Sequence, residues 1–320
     1  MTNWKPSSDA SAAMRRAEML KRARQYFSAQ NVLAVDTPAL GPYATSDPNI
    51  DSLSVRSKPG KDSFLHTSPE TSMKRLLASG YPDIYSICRV FRDNEAGNRH
   101  RPEFTLAEWY RLGFDLNAII DDTVGFIASC LDLPKLAENV LQYEYTDVFQ
   151  EFANIDVHAA STDELANRCN ADAGIKSEIE ARRDSGLDLI MSTIIAPRFV
   201  HDQLTVIRHY PASQAALARL CPGDERVADR FEVFCGDLEL ANGYVELTDA
   251  GEQRQRIEQD HEERLRAGRS SLLADEMLLA ALEAGLPECA GVAVGVERLQ
   301  MVLDQTDDIR DVVTFNTETS

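Results

Sequence analysis

Residues 92–104 read RDNEAGNRHRPEF, a polar run that carries three arginines and a histidine. Apolar segments flank it on both sides, Ile84–Phe91 before it and Phe104–Tyr110 after it, so we predict two strands joined by a polar loop. Two interpretations of the loop stay open. A polar hairpin is usually an exposed surface feature, whereas clustered guanidinium groups bind phosphate oxygens and stabilise the charge that develops in phosphoryl or nucleotidyl transfer.

The overall composition makes the arginines of this loop unusual. The chain has 320 residues, of which 43% are hydrophobic, enough for one large domain or two small ones. Lysine and arginine number 33 against 52 acidic residues, a formal net charge of −19. That charge argues against a broad nucleic-acid surface, because phosphate backbones bind clustered basic groups. A few arginines in a cleft can still hold a small phosphate ligand.

Signals of location and redox state are few. No run of about 18 apolar residues occurs, and the opening sequence MTNWKPSSDASAAMRR lacks the apolar core of a signal peptide. We therefore expect a cytoplasmic protein with no membrane segment. The six cysteines are scattered, without a C-x-x-C pair or a histidine at zinc-like spacing, so we expect reduced and mostly buried thiols.

A second candidate segment, residues 239–246, reads ELANGYVE and combines two carboxylates and an amide in an apolar context. In one interpretation Asn242-Gly243 is a hairpin turn and both glutamates face water. In the other, Glu239 and Glu246 bind Mg²⁺ at nucleotide phosphates or accept the ammonium group of a substrate. Sequence alone does not separate these two roles.

A third candidate segment, residues 291–298, reads GVAVGVER. Glycines weaken a strand unless something approaches its backbone closely, as the base of a nucleotide would. Arg298 falls in the first turn of the helix that follows, where a cation opposes the helix dipole, so an anionic partner such as a phosphate is indicated. A buried strand followed by an ordinary helix is the alternative. Neither a G-x-x-x-x-G-K-[ST] loop nor a G-x-G-x-x-G fingerprint occurs.

The remaining sequence supplies the surroundings of these segments. Apolar spacing predicts an amphipathic helix over Ser11–Gln30, and Val32–Val35 reads as a short strand that ends before Pro38. Ser68-Pro69-Glu70 precedes a helix, Thr71–Ser79. The stretch Leu116–Ala196 reads as mostly helical, and Gly236-Asp237 is a hairpin turn between two further strands.

Taken in order, these segments resemble the three motifs of class II aminoacyl-tRNA synthetases. The motifs are a helix and strand ending in proline, an F-R-x-x-E…R-H-x-P-E-F hairpin, and G-x-x-x-G-x-[DE]-R. The resemblance implies an α+β fold with a mixed, mainly antiparallel sheet flanked by helices. It covers nearly the whole chain, and we expect one catalytic domain over residues 1–320 with a mainly helical insertion at about 150–200.

Within that class the chain looks like the lysyl-tRNA synthetase branch. This likeness rests on residues 67–70, 99–105, 239–243 and 246–248. Lysyl-tRNA synthetases carry an amino-terminal OB-fold that reads the anticodon, whereas here the first-motif helix begins near Ser11, so we expect no anticodon-binding domain. The elongation factor P lysine ligases are lysyl synthetase relatives reduced to the catalytic domain, and residues 106–111 and 208–214 look similar to that family.

The resemblance to these ligases implies a two-step reaction with ATP and Mg²⁺. Lysine or (R)-β-lysine becomes its adenylate with release of pyrophosphate, and the acyl group passes to a lysine side chain of elongation factor P without tRNA. The first-motif helix and strand form the dimer interface of class II enzymes, so a homodimer is implied. Two other readings remain: a truncated lysyl-tRNA synthetase-like enzyme that charges tRNA, and a non-catalytic regulatory paralogue.

The resemblance also implies roles for individual residues, with Arg92 and Arg298 as the catalytic pair. ATP contacts are implied at Arg92, Asp93, Asn94, Glu95, Arg101, Phe104, Glu239, Leu240, Gly295 and Arg298. Amino-acid contacts are implied at Ser68, Pro69, Glu70, Glu108, Tyr110, Asn242, Glu246 and Ala293. Glu239 and Glu246 are the predicted metal ligands. Phe104, Glu108 and Tyr110 share one face of their strand, so one surface can meet both adenine and amino acid.

The chain departs from the motifs of its relatives in four places. Relatives often read Arg-Asn-Glu-Glu where residues 92–95 read RDNE, so the adenine contact falls to Asn94 or Glu95. Arg101 stands where Asn is usual, and Glu297 replaces the commoner Asp. Ala293 occupies a position where lysyl synthetases usually have glycine, and we hypothesise that its methyl group favours β-lysine over α-lysine.

Overall fold

A large sheet with helices packed on it forms the centre of the computed structural model, which describes residues 4–58, 61–269 and 272–316. The strands are β1 Leu33–Ala34, β2 Leu40–Gly41, β3 Ser54–Lys58, β4 Lys61–Leu65, β5 Ile84–Phe91, β6 Glu103–Leu112, β7 Leu141–Glu144, β8 Leu204–Pro211, β9 Leu220–Cys221, β10 Asp224–Cys235, β11 Leu238–Val245 and β12 Cys289–Gly295. The helices are α1 Ala10–Ala29, α2 Glu70–Ala78, α3 Leu116–Leu131, α4 Tyr145–Ala153, α5 Thr162–Arg168, α6 Ala173–Ala181, α7 Arg183–Ile190, α8 Ala250–Arg266, α9 Glu276–Gly285 and α10 Val296–Asp304.

The main sheet is mixed and mostly antiparallel, as the sequence predicts. Its strand order is β1-β5-β6-β12-β11-β10-β8-β7, with β9 paired to β10. Parallel pairing occurs between β1 and β5 and between β7 and β8 in the part of the chain that the structure describes, and the other pairs are antiparallel. A separate three-stranded sheet contains β2, β4 and β3. The predicted α+β architecture, with a mixed and mainly antiparallel sheet flanked by helices, is confirmed.

One face of the main sheet is covered by α1 and α3, because both helices present an apolar stripe to it. Phe27 on α1 is fully buried. Its ring stacks on Tyr85 of β5 at a centroid distance of 4.1 Å and on Phe126 of α3 at 5.0 Å. The indole of Trp109 on β6 donates a hydrogen bond of 3.0 Å to Asp122, so α3 is also tied to the sheet by a buried polar contact. This packing leaves the opposite face of β6, β12 and β11 open.

Helices α4 to α7 form a block between β7 and β8 with an apolar core of its own. At the start of α5, Ser161 and Glu164 exchange side-chain and backbone hydrogen bonds in a capping box, the helix start that these residues predict. A single π-helical turn, Met191–Ile195, follows α7. That residues 1–320 form one domain stays a prediction.

The structure decides one open alternative and shows one strand that was not predicted. Asn242-Gly243 is not a turn, since β11 runs straight through it and Asn242 pairs with Glu232 on one side and Ala293 on the other. The hairpin turn is Gly236-Asp237, as predicted, and Gly236 has a positive φ of 57°. The strand β7 was not predicted, because its four residues, LQYE, are a very short alternation inside a stretch that otherwise reads as helical. No helix among the described residues is long and apolar enough to cross a membrane.

Candidate active site

The open face of the sheet forms the floor of a cavity of about 980 Å³. Side chains of β6, β12 and β11 form this floor, and the start of α2, the loop between β5 and β6, and α8 form the walls. The register between β6 and β12 sets which residues are neighbours on the floor: Tyr110 is paired with Gly291, and Glu108 with Ala293. Further along β6, at Phe104, the cavity reaches the arginines of the loop. The site therefore has an acidic end and a basic end.

The acidic end is built around a buried lysine. Lys74 on α2 is 1% exposed, and its Nζ lies 2.7 Å from Glu70 Oε1 and 2.5 Å from Glu246 Oε2. Tyr244 on β11 donates a hydrogen bond of 2.8 Å to Glu70 Oε1. Burial lowers the pKa of Lys74, but Glu246 and Glu70 outweigh it, so the pKa lies above its usual value and the lysine is cationic.

Glu108 is buried beside this group, and no cation among the described residues forms an ion pair with it. It is 3% exposed and accepts hydrogen bonds from Ser68 Oγ at 2.7 Å and from Tyr110 OH at 2.8 Å. Burial raises the pKa of Glu108 to about 7, and the nearby Glu70 carboxylate adds to the rise. A cationic ligand would stabilise the ionised carboxylate, so this end of the cavity favours an ammonium group.

Glu246 combines burial with an unsatisfied oxygen. Its Oε1 has no hydrogen-bond partner among the described residues. Burial raises the pKa of Glu246 to about 8, with Lys74 opposing the rise and Glu70 adding to it. A buried carboxylate oxygen without a partner costs on the order of 1–3 kcal/mol. A ligand ammonium at this position would remove that cost.

At the basic end, Arg298 on α10 is held at the bottom of the cavity by three acceptors. Its Nη1 donates to the Glu239 carbonyl oxygen at 2.9 Å and to Glu239 Oε2 at 3.2 Å. Its Nη2 lies 2.8 Å from His100 Nε2. Burial and the Arg298 charge lower the pKa of His100, so its Nε2 accepts this hydrogen bond. The guanidinium is thus oriented before any ligand arrives, as electrostatic catalysis requires.

The loop arginines lie on the same side of the cavity. The guanidinium of Arg92 lies 5.0 Å from the centre of the Phe104 ring, and its Nη1 is 3.4 Å from Glu95 Oε1. Arg101 donates a hydrogen bond of 2.9 Å to the Phe315 carbonyl oxygen. The loop is therefore not a freely solvated hairpin, because Arg92 packs against Phe104 and Glu95, and Arg101 is bonded to a backbone carbonyl oxygen.

Glu297 fixes the start of α10, next to Arg298, against two other elements. It is 2% exposed, and its Oε2 accepts from the Thr105 backbone N–H at 2.8 Å. Its Oε1 lies 2.8 Å from Arg16 Nη2 on α1 and 3.0 Å from Thr105 Oγ1. The acidic residue of the third motif therefore joins α10, β6 and α1, which sets the position of the arginine that follows it.

Most of the residues predicted for the site line this one cavity. These are Ser68, Glu70, Arg92, Glu95, Arg101, Phe104, Glu108, Tyr110, Glu239, Leu240, Asn242, Glu246, Ala293, Gly295 and Arg298. Pro69, Asp93 and Asn94 are not among its lining residues. Asn94 has a left-handed backbone with φ 60° and is exposed. Of the two candidates for the adenine contact, Glu95 lines the cavity and Asn94 does not.

The two predicted metal ligands lie at opposite ends of the cavity. They are seven positions apart along β11 and its continuation, and an extended strand rises about 3.3 Å per residue, which separates them by about 23 Å. Glu246 pairs with Lys74, whereas Glu239 contacts Arg298. The two glutamates cannot bind one ion together, so each has a separate role.

Sequence reasoning missed several residues of the site. Lys74 is the most important, and its sequence context, a lysine four residues after Glu70 on a short helix, is typical of an exposed ion pair. Tyr244 and Arg230 also line the cavity. Tyr244 lies two residues from both Asn242 and Glu246, so the period of a strand could have placed it on their face, whereas Arg230 joins it only through the pairing of β10 with β11.

Comparison with known proteins agrees with this geometry. A sequence model of the family described as tRNA synthetases class II (D, K and N) matches residues 4–319. Several curated relatives are named elongation factor P–(R)-β-lysine ligase. The protein of Haemophilus influenzae is 39% identical over 98% of both chains. That of Mannheimia succiniciproducens is 40% identical over 98% of this chain and 97% of its own, and that of Pseudoalteromonas translucida is 38% identical over the same shares. The chain therefore belongs to the class II aminoacyl-tRNA synthetase family and, within it, to the group of the elongation factor P–(R)-β-lysine ligases.

Proposed function

We propose that this protein activates (R)-β-lysine, or lysine, with ATP and transfers the resulting acyl group to a lysine side chain of elongation factor P. The observation that carries the proposal is a single cavity with buried carboxylates at one end and oriented arginines at the other. An ammonium-bearing amino acid fits the first end, and nucleotide phosphates fit the second. The names of the relatives supply the identity of amino acid and acceptor.

The charge of the acidic end supports a substrate with two ammonium groups. Glu70, Glu108 and Glu246 oppose one cation, Lys74, which leaves an excess of two negative charges when all three carboxylates are ionised. Buried charges need partners. Lysine and β-lysine each carry two ammonium groups, which would neutralise the excess. We assign amino-acid contacts to these glutamates together with Ser68, Tyr110 and Asn242.

At the basic end the chemistry is transfer of an adenylyl group. The substrate carboxylate oxygen attacks the α-phosphorus of ATP, the bond to the bridging oxygen breaks, and pyrophosphate leaves. Arg92 and Arg298 bind the phosphate oxygens on which negative charge accumulates, and Phe104 offers a face for adenine. Mg²⁺ would supply further charge neutralisation at the phosphates, with Glu239 as the carboxylate positioned to bind it.

In the second step an amine of the acceptor attacks the carbonyl carbon of the adenylate. AMP leaves, the amine loses a proton, and an amide bond remains. The net charge of −19 supports a protein acceptor rather than tRNA, because tRNA binding draws on basic surface. Since the proposed acceptor is a translation factor, the cytoplasmic location predicted from the sequence remains part of the proposal.

We also propose a homodimer formed through the first motif. Apolar side chains remain exposed there, with Met14 on α1 at 68%, Leu33 on β1 at 44% and Leu40 on β2 at 45%. Exposed apolar groups concentrated on neighbouring elements are typical of an interface. Gel filtration with light scattering should give twice the mass of the chain, and a mass of one chain at micromolar concentration would contradict the dimer.

The acceptor is tested by direct competition. The protein is incubated with ATP, Mg²⁺ and either (R)-β-lysine or α-lysine, and with either elongation factor P or bulk tRNA. Mass spectrometry should show elongation factor P heavier by one lysyl group, while tRNA stays uncharged. Elongation factor P with its amines blocked by reductive methylation is the matched control and should gain nothing.

Each other outcome points to a different function. Acylation of tRNA but not of the protein would mean a truncated lysyl-tRNA synthetase-like enzyme. Failure to exchange pyrophosphate into ATP with any lysine isomer would mean a non-catalytic paralogue, and the proposal would be wrong.

A further inference from the structure

A second cluster of chemically reactive side chains lies outside the cavity, where β8, β9 and β10 meet. It contains His209 from β8, Cys221 from β9 and Asp229 from β10. One nitrogen, the sulfur and one carboxylate oxygen of these residues all lie within 4.8 Å of one another. None of the three lines the reaction cavity. The proposed function therefore leaves them without a role.

A break in strand pairing brings two of these groups together. The register between β10 and β8 shifts between Ala228 and Phe231, so that Asp229 and Arg230 lie opposite the single residue His209. His209 has a left-handed backbone with φ 55°, which is uncommon for a residue that is not glycine. Bulges of this kind re-aim side chains, and here the imidazole and the Asp229 carboxylate point into the same space.

The histidine and the aspartate are each held in place by a further charged group. His209 Nδ1 lies 2.6 Å from Glu144 Oε2 on β7, so this nitrogen carries the hydrogen and donates it. The other ring nitrogen, Nε2, is left facing Asp229 Oδ1 at 3.6 Å, which is too long for a hydrogen bond. Arg219 Nε donates to Asp229 Oδ2 at 2.8 Å. One nitrogen and one oxygen thus face each other as an ion pair, because the Asp229 and Glu144 carboxylates raise the pKa of His209 to about 9.

We propose that His209 Nε2, Cys221 Sγ and Asp229 Oδ1 bind a zinc ion. Tetrahedral zinc bonds of about 2.0–2.3 Å place neighbouring ligand atoms about 3.3–3.8 Å apart. The distance of 3.6 Å between His209 Nε2 and Asp229 Oδ1 is already within this range. Because all three ligand atoms lie within 4.8 Å of one another, a small movement of the Cys221 side chain would complete the site.

The chemistry of the donors selects zinc rather than calcium or magnesium, because a thiolate and an imidazole are poor ligands for hard cations. The contact between Glu144 and His209 is the carboxylate–histidine arrangement that commonly supports zinc-binding histidines. When zinc binds, the Cys221 thiol and the protonated His209 Nε2 each release a proton to solvent as the sulfur–zinc and nitrogen–zinc bonds form. The thiolate and the Asp229 carboxylate then balance the two positive charges of the ion.

The fourth coordination position faces a separate cavity of about 450 Å³. Its walls include Glu144, His158 and Asp224, so water can complete the coordination. The zinc would join β8, β9 and β10 to one another. Residues 212–214 follow directly after β8 and line the reaction cavity. Its role would be structural: it would hold the segment that forms one wall of the active site.

Metal analysis of the purified full-length protein tests the site. The protein is dialysed against a chelator and then against a small excess of zinc sulfate. Inductively coupled plasma mass spectrometry should then measure one zinc per chain. Cys221→Ser should bind zinc at least about 100-fold more weakly, and Glu144→Ala about 10–100-fold more weakly because it removes only the support of the histidine. With cobalt in place of zinc, a sulfur-to-cobalt charge-transfer band should appear and be lost in Cys221→Ser.

Cys169→Ser is the matched control, since Cys169 is also a partly buried free thiol but lies in the helical block. It should bind zinc like the unaltered chain. Circular dichroism of every variant confirms folding, and Asp229→Asn serves if Cys221→Ser does not fold. Less than about 0.1 zinc per chain in the unaltered protein, or a zinc affinity of the folded Cys221 or Asp229 variant equal to that of the unaltered protein, would overturn the proposal.

Discussion

Lowering the pH from about 8 to about 6 should weaken amino-acid binding about tenfold through Glu108 alone. This carboxyl is buried and has a pKa of about 7 because burial and Glu70 disfavour its charge. An ammonium ligand requires the ionised form. With that pKa, about ten elevenths of the carboxyl is ionised at about pH 8 and about one eleventh at about pH 6, and the ratio is the expected loss of affinity.

The assay is amino-acid-dependent exchange of pyrophosphate into ATP at saturating Mg²⁺ and ATP, with the amino acid varied at each pH. The ε-ammonium of the substrate has an ordinary pKa of about 10.4 and keeps its charge throughout. Glu246, whose pKa is about 8, contributes further pH dependence in the same direction. The effect of Glu108 is therefore measured as a difference between the unaltered protein and Glu108→Gln.

Glu108→Gln removes the charge while keeping the size of the side chain. At about pH 8 the KM for the amino acid should rise about 10- to 150-fold, since a hydrogen bond to a charged group contributes about 1.5–3 kcal/mol. The ratio of KM at about pH 6 to KM at about pH 8 should fall about tenfold relative to the unaltered protein. Glu276→Gln, at an exposed surface ion pair with Arg254, is the control and should change neither value. An unchanged pH ratio in Glu108→Gln would refute the reasoning, and so would an equal pH effect on the KM for ATP.

Further predictions concern the basic end of the cavity, Ala293 on the cavity floor, and the apolar core. Arg298→Ala should lower the rate of adenylate formation about 10²- to 10³-fold without unfolding, because it removes an oriented donor that stabilises developing charge. Arg254→Ala is the control and should leave the rate unchanged. Full activity of Arg298→Ala would contradict its assigned role. Ala293→Gly should change the ratio of α- to β-lysine activation in the exchange assay, because this residue lies beside Glu108 and Asn242 on the cavity floor, and an unchanged ratio would end that hypothesis. Phe27→Ala should lower the free energy of unfolding in urea by about 3–5 kcal/mol, because its ring fills the space between α1, α3 and the sheet; a loss below about 1 kcal/mol would mean that this packing is not a main support of the fold.

The hairpin and the third motif were predictable from sequence because the strands that their local patterns indicate are also the strands found in the sheet. Residues 84–91 and 103–112 form adjacent antiparallel strands, and the alternation along the second places Phe104, Glu108 and Tyr110 in the cavity. Short-range patterns of this kind depend only on the two-residue period of a strand. The helix α1 was predictable in a similar way, from apolar residues at helical spacing, and its start is capped by Asp9.

The rest of the site depends on contacts between distant segments, which a pattern along the chain does not report. Lys74 belongs to the site only because α2 packs over the end of β11, so that its ammonium reaches Glu246. The His209 cluster depends on three strands and a shift in register. The dipeptide Asn242-Gly243 is typical of turns, but pairing with strands on both sides outweighs this local preference.

Two glycines of β12, Gly291 and Gly295, differ in the space that the surrounding protein leaves for a side chain. At Gly291 a Cβ atom would lie 2.5 Å from Glu246 Oε1 and would also meet the ring of Tyr110, so the packing of the amino-acid end itself requires glycine. At Gly295 a Cβ atom would meet only the Arg298 side chain, at an ordinary distance of 3.7 Å. Protein packing therefore does not account for glycine at 295, although glycine weakens a strand. Gly295 is the N-cap of α10, a position where glycine is common, and the proposed nucleotide, with its base on Phe104 and its phosphates at Arg298, would also approach this backbone closely.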